Sequence, residues 1–178
     1  MTVNELNALP SPAARDAFTA CCGAPAWVSR MVARRPFASR AALFDAADAS
    51  WRTLAPDEWK EAIAHHPRIG ESRAAASTSA RADAWSASEQ SAARADDGAA
   101  DGVAGGLAHG AALAEGNAEY ERRFGHVFII CASGRSAGEI LEALRTRLRN
   151  DAATELAATS EELRKITQLR LEKLLGEQ

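Results

Sequence analysis

One short run, Phe128-Ile-Ile-Cys-Ala132, is all that reads as a β-strand in a chain of 178 residues. No second run stands ready to pair with it, which argues against a sheet protein. The run is bounded by Gly125 and by Ser133-Gly134, and is expected to cross the core as extended chain. Alanine makes up about a quarter of the residues and strong β-formers are few, so helix is favoured over sheet.

Helix punctuation recurs along the rest. Ser11-Pro12 reads as an N-cap followed by proline, with Gly23 closing that helix. Trp27 and Met31 lie four apart before Pro36 stops the pattern, and Ser39 caps a helix carrying Leu43, Phe44 and Ala47. Pro56-Asp57-Glu58 opens a helix with acidic groups at its positive end, and Pro67 disfavours helical geometry at His66. Residues 68–84 read as a loop with at most a turn of helix, and Ser86 or Ser88 caps a short helix through about Arg94. The stretch 95–106 (ADDGAADGVAGG) reads as a flexible connection, followed by a helix from about Leu107 to Arg123. Ser136 with Glu139 forms a capping box, and a last helix runs from about Ala152 to Leu175. The expected architecture is an all-α, single-domain helical bundle over 1–178, with the extended apolar segment near 128–132 and the loop at 95–106.

Charge and composition narrow the partners. A formal charge of -3 leaves no basic excess for nucleic acid. The apolar runs are too short to span a bilayer. Met1-Thr-Val-Asn-Glu-Leu carries no basic n-region or apolar h-region, and three cysteines, two of them adjacent, make no disulfide framework. A reduced, cytoplasmic protein is expected.

Arg170 is the first residue to suggest chemistry. In the last helix Leu156, Leu163, Ile166 and Leu174 form one stripe, and Arg170 falls inside it. An arginine there needs an anion, either a protein carboxylate or a carboxylate substrate in an internal pocket, unless its head snorkels to water. His66 is the second. It sits where Pro67 ends a helix and titrates near neutral pH, so it suits acid–base work or a plain helix-dipole contact. A metal site of His65, His66 and Glu71 matches no zinc spacing. The third is Ser86-Ala87-Ser88-Glu89-Gln90, a capping box or a place where backbone N–H groups and a glutamate meet a ligand. Cys131 and the four tryptophans read as core.

Five segments in order carry a resemblance: HPRIGE at 66–71, WSASEQ at 85–90, EGNAEYERRFGHVFIICASG at 115–134, SAGEILEALRTRLRND at 136–151 and ITQLRLEKLL at 166–175. LNALP at 6–10 and WVSRMVARRPF at 27–37 add to it. Together they resemble the 2-oxo-4-hydroxy-4-carboxy-5-ureidoimidazoline (OHCU) decarboxylases of urate breakdown. The resemblance implies an all-helical fold, a homodimer, and a cofactor-free, metal-free enzyme releasing CO2 to give (S)-allantoin. It places the catalytic roles on His66, Glu89 and Arg170. Substrate binding falls on Pro67, on Ser86, Ala87, Ser88, Glu89 and Gln90, and on the backbone of Phe128, Ile129, Ile130, Cys131 and Ala132. His126, where relatives often carry an aromatic residue, is read as a packing variant.

On this reading His66 does the acid–base work, ending in protonation of the carbon that loses CO2, and Glu89 positions His66 or a substrate N–H. Arg170 holds anionic or carbonyl oxygens, while Gln90 and the 128–132 backbone hold the ring. Two alternatives stay open at this point. One is a non-catalytic helical module binding a small ureido or carboxylate anion. The other is a structural protein with Arg170 ion-paired in the core and no pocket. Within the enzyme reading itself, a different decarboxylase or lyase specificity also stays open.

Overall fold

A computed structural model describes residues 1–66, 68–69, 80–95 and 102–176, with backbone alone at 80, 83, 90–95 and 102–108. The described residues form helices α1 (Val3–Ala8), α2 (Ser11–Cys21), α3 (Pro25–Ala33), α4 (Arg40–Arg52) and α5 (Pro56–Ala64). Then come α6 (Ala80–Ala95), α7 (Gly102–Phe124), α8 (Ala137–Arg147) and α9 (Ala152–Gly176). No strand occurs among them, and the fold is all-α.

Several helix starts follow the expected local chemistry. The Ser39 hydroxyl accepts the Ala42 N–H at 3.1 Å. Ser136 and Glu139 close their reciprocal box, and Asp151 accepts the N–H groups of Ala153 and Thr154. Other boundaries differ. Pro10 caps α2, so Ser11 lies inside the first turn. Ser86 and Ser88 lie in the interior of α6, which begins at Ala80 and takes in residues expected to be loop. An alanine-rich run has enough intrinsic propensity to extend the helix upstream of any cap. Likewise α7 starts at Gly102, so residues 102–106 of the expected connection are helical despite their glycines. Residues 96–101 lie outside the described ones.

Two apolar clusters make the core. The larger joins α1–α5 to α9 around Phe18, Trp27, Met31, Leu43, Leu163 and Leu171. The smaller holds Tyr120, Ile140, Leu141 and Leu144 where α7 packs on α8. Gly116 permits that approach, because a Cβ there would lie 2.6 Å from Leu144 Cδ2. The extended segment runs between the clusters. Ile129 and its neighbours Val127 and Cys131 pack on the larger one, while Phe128, Ile130 and Ala132 pack on the smaller. Strand periodicity of two sends alternate side chains to opposite sides, so this segment is apolar throughout because both sides are buried. Gly125 and Gly134 turn the chain at either end with φ of 74° and 76°, a region other residues rarely adopt. Trp27, Trp51 and Trp85 are buried as expected and Trp59 is partly so.

Candidate active site

The end of α5, the inner face of α6, the extended segment and the C-terminal half of α9 meet at a cleft. It encloses about 460 Å3, solvent at its mouth included. His66, Ser86, Glu89, Phe128–Ala132 and Arg170 all line it. Residues more than a hundred positions apart in the chain thus line one cleft.

His66 follows the last turn of α5, its backbone N–H bonded to the Ile63 carbonyl at 3.0 Å. Its ring Nδ1 lies 3.2 Å from the Ala62 carbonyl oxygen. A carbonyl only accepts, so Nδ1 carries the hydrogen and Nε2 presents its lone pair. Nε2 is buried and has no partner among the described residues. Burial, reinforced by the positive charge of Arg170, pushes the imidazole down to about 3. The ring is therefore neutral at physiological pH, a base in waiting rather than a stored proton. The helix-end contact and the acid–base site are one arrangement here, since the Ala62 carbonyl selects the tautomer.

Arg170 is 4% exposed. Its Nη2 donates to Ser86 Oγ at 2.7 Å and to Glu89 Oε2 at 3.2 Å. Its Nε is buried without a partner among the described residues. The other Glu89 oxygen accepts from Lys173 Nζ at 2.8 Å. Arg170 is thus ion-paired with a protein carboxylate, as the structural reading expected, but the pair forms the wall of a cleft, which that reading did not. Glu89 turns toward Arg170 and Lys173, and its carboxylate is not the partner of either His66 ring nitrogen.

Helix periodicity divides the Ser86–Gln90 stretch. Ser86 and Glu89, three apart, face inward. Ala87 and Ser88 are exposed and are not among the residues lining the cleft. Pro67, Glu71 and the Gln90 side chain lie outside the described residues. Cys131 is half-buried at the cleft, and burial together with the Glu162 charge raises its thiol above the ordinary range. His126 stacks on Phe124 and meets Tyr120 edge-on, consistent with packing.

Three features escaped the sequence. Lys173 lies one turn beyond Arg170, and an i, i+3 spacing from a suspected anion-binding arginine could have flagged it. Ile69 and Leu169 complete the apolar lining. A buried polar cluster of Arg147, Glu155, Tyr120 and Thr159 lies behind the extended segment, and its members are spread too widely along the chain to be read as one group.

Fold and cleft define a helical protein with a cleft lined by an ion-paired arginine and a neutral histidine. A family model described as OHCU decarboxylase matches residues 7–172, and the chain belongs to that family. It is 36% identical over 162 residues to the uric acid degradation bifunctional protein TTL of Arabidopsis thaliana, covering 91% of this chain and 47% of that protein. A 59-residue stretch is 46% identical to the 2-oxo-4-hydroxy-4-carboxy-5-ureidoimidazoline decarboxylase of Amia calva, covering 33% of this chain and 34% of that one. The alignments thus span less than half the length of these curated relatives. A crystal structure of OHCU decarboxylase in the presence of (S)-allantoin superposes with a TM-score of 0.72 at 34% identity, covering 91% of this chain and 99% of that one. An (S)-allantoin synthase structure shares the fold, with a TM-score of 0.66 at 17% identity over 98% of this chain and 54% of that one.

Proposed function

We propose that this protein decarboxylates OHCU to (S)-allantoin and CO2, without a cofactor, as a single domain. The observation that carries the reading is the pairing, in one cleft, of a neutral His66 whose Nε2 is uncommitted with an Arg170 whose Nε is uncommitted. An anion-holding group and a base face the same small volume. With His66 neutral, the formal charges of Arg170, Lys173 and Glu89 leave one positive charge, which matches one substrate carboxylate.

The substrate supplies its own electron sink. Its carboxyl and hydroxyl groups share ring carbon 4, and carbon 5 bears the ureido group and the ring C=N bond. The bond from carbon 4 to CO2 breaks, and its electron pair becomes a C4=C5 bond. The C=N pair moves to the ring nitrogen, which takes a proton from solvent. The enol hydroxyl at carbon 4 then gives its proton to His66 Nε2, and carbon 4 becomes a carbonyl. His66 returns that proton to carbon 5. The new C–H bond forms on the ureido-bearing carbon, so the bond bookkeeping moves protonation off the carbon that loses CO2, where it was expected.

Arg170 and Ser86 hold oxygens, Glu89 accepts a substrate N–H, and Ile130, between the engaged Ile129 carbonyl and Cys131 N–H, meets the ring. Holding the ring in one pose gives one enantiomer. Acid–base catalysis of this kind contributes roughly 10²–10⁴-fold. A homodimer and a cytoplasmic location belong to the same proposal. Cys21, Cys22 and Cys131 carry thiols rather than disulfides, which supports a reducing compartment, and no described helix is long and apolar enough to cross a membrane.

A coupled assay tests the reading. OHCU is generated freshly from urate by the two preceding activities, and circular dichroism follows the allantoin. Rapid formation of one enantiomer, lost in His66→Asn, is the expected result. Only slow racemic allantoin from the intact protein would overturn the assignment, leaving the non-catalytic anion-binding module.

A further inference from the structure

A lone extended segment faces a problem that a sheet solves automatically: its backbone groups need partners. Here no strand lies beside residues 127–132 among the described residues, yet the segment is buried on both sides. Near its ends the Val127 carbonyl meets the His126 ring and the Ala132 carbonyl accepts the Arg135 N–H, but two groups in its middle are met by charged side chains. Arg147 Nη1 donates to the Ile129 carbonyl at 2.6 Å. Glu162, on α9, accepts the Cys131 N–H at 2.8 Å.

Both charges are themselves held. Arg147 is 9% exposed, and its guanidinium also bonds Glu155, Tyr120 and Thr159. Asn150 donates to the second Glu155 oxygen, and the Arg147 guanidinium stacks 4.7 Å from the centre of the Phe128 ring. Glu162 is anchored by Lys165 at 2.6 Å. Burying an ion pair is a poor way to add stability, since apolar residues of like volume do as well or better. What such a pair does supply is a single backbone geometry, because its donors and acceptors lie in fixed directions.

We propose that Arg147 and Glu162 are positioning residues for the OHCU site: they clamp Ile129 and Cys131 from behind, and so set the pose of the cleft wall between His66 and Arg170. Neither lines the cleft, so each acts through the segment. The proposal rests on the decarboxylase reading for its kinetic consequence, but not for its structural one.

The test compares Glu162→Ala with Glu162→Gln, whose amide oxygen still accepts the Cys131 N–H, and adds Arg147→Lys. Two readouts are taken per folded molecule: kcat and KM for OHCU, and hydrogen exchange at the Cys131 amide. In Glu162→Ala, exchange should accelerate at least about tenfold and kcat/KM should fall about tenfold, as expected for one lost charge-assisted hydrogen bond. Glu162→Gln should restore most of both. Arg147→Lys, lacking the planar fork, should fall at least as far in kcat/KM. Unchanged Cys131 exchange in Glu162→Ala overturns the clamp whatever the activity. Changed exchange with turnover within twofold of wild type overturns the positioning role. Equal losses in the Ala and Gln variants overturn the hydrogen-bond account in favour of charge. A wild-type protein inactive on OHCU strikes the decarboxylase reading alone, and the exchange result then decides the clamp.

Discussion

Acid should destabilise this protein through His66 far more than through an exposed histidine. In the folded chain the imidazole stays neutral down to about pH 3, because burial and then Arg170 oppose its charge. In the unfolded chain it takes a proton near pH 6.5. Above 6.5 both states are neutral and the full stability is present. As pH falls toward 3 only the unfolded state binds the proton, and stability is lost. Each pH unit inside that window is worth about 1.4 kcal/mol, so the descent from 6.5 to 5 removes about 2 kcal/mol. That is a sizeable share of the roughly 5–15 kcal/mol that holds a domain together, and corresponds to about 4–8 °C in Tm. Carboxylates also titrate on the way down, so the variant His66→Asn, which binds no proton, is the reference. Urea unfolding of both proteins at pH 7, 6 and 5 should show wild type losing about 2 kcal/mol more than the variant. Parallel pH dependences would refute a buried neutral imidazole, and with it the base assigned to the reaction.

Four further outcomes are expected. Arg170→Met should lower kcat/KM by about 100-fold or more, since it removes a buried charge that meets the substrate anion, while the fold survives because Lys173 still holds Glu89; near-normal kinetics would favour a purely structural arginine. Gly23→Ala places a Cβ 2.7 Å from His65 Cβ, so a thermal melt should show a loss of about 1–3 kcal/mol, with lowered kcat because the displaced residue adjoins His66. Gly116→Ala drives a Cβ against Leu144 in the α7–α8 contact, and denaturant titration should show a loss of about 1–3 kcal/mol. Ser136→Ala opens the α8 capping box and should cost about 1 kcal/mol with turnover per folded molecule unchanged.

Much of the site was legible because its residues violate local expectation. Arg170 interrupts an apolar stripe, and His66 precedes a helix-ending proline. Each anomaly is visible within a few positions of itself. The Ser86–Glu89 capping box misled for the same reason. The four-residue pattern is genuine, but alanine propensity carried α6 past it, and the two side chains became inward-facing ligands of Arg170 instead of caps. Glu89 was expected to position either His66 or a substrate N–H. Lys173 and Arg170 claim its carboxylate because α6 packs along α9, a packing that no local pattern announces.

The helices, most of their stops and the one extended run are local matters, governed by side-chain entropy, proline geometry and capping within a turn or two, and sequence alone determines them. It also determines that Arg170 must find an anion or reach water, because a guanidinium cannot shed its charge. Tertiary structure alone decides which anion, at what distance, and against which base. It decides that the Ala62 carbonyl selects the His66 tautomer, and that the extended run divides two cores while Arg147 and Glu162 serve as its missing neighbours. Those outcomes depend on distances between groups up to about a hundred residues apart. Such distances follow from how whole helices pack, and packing is a property of the folded volume rather than of any stretch of chain.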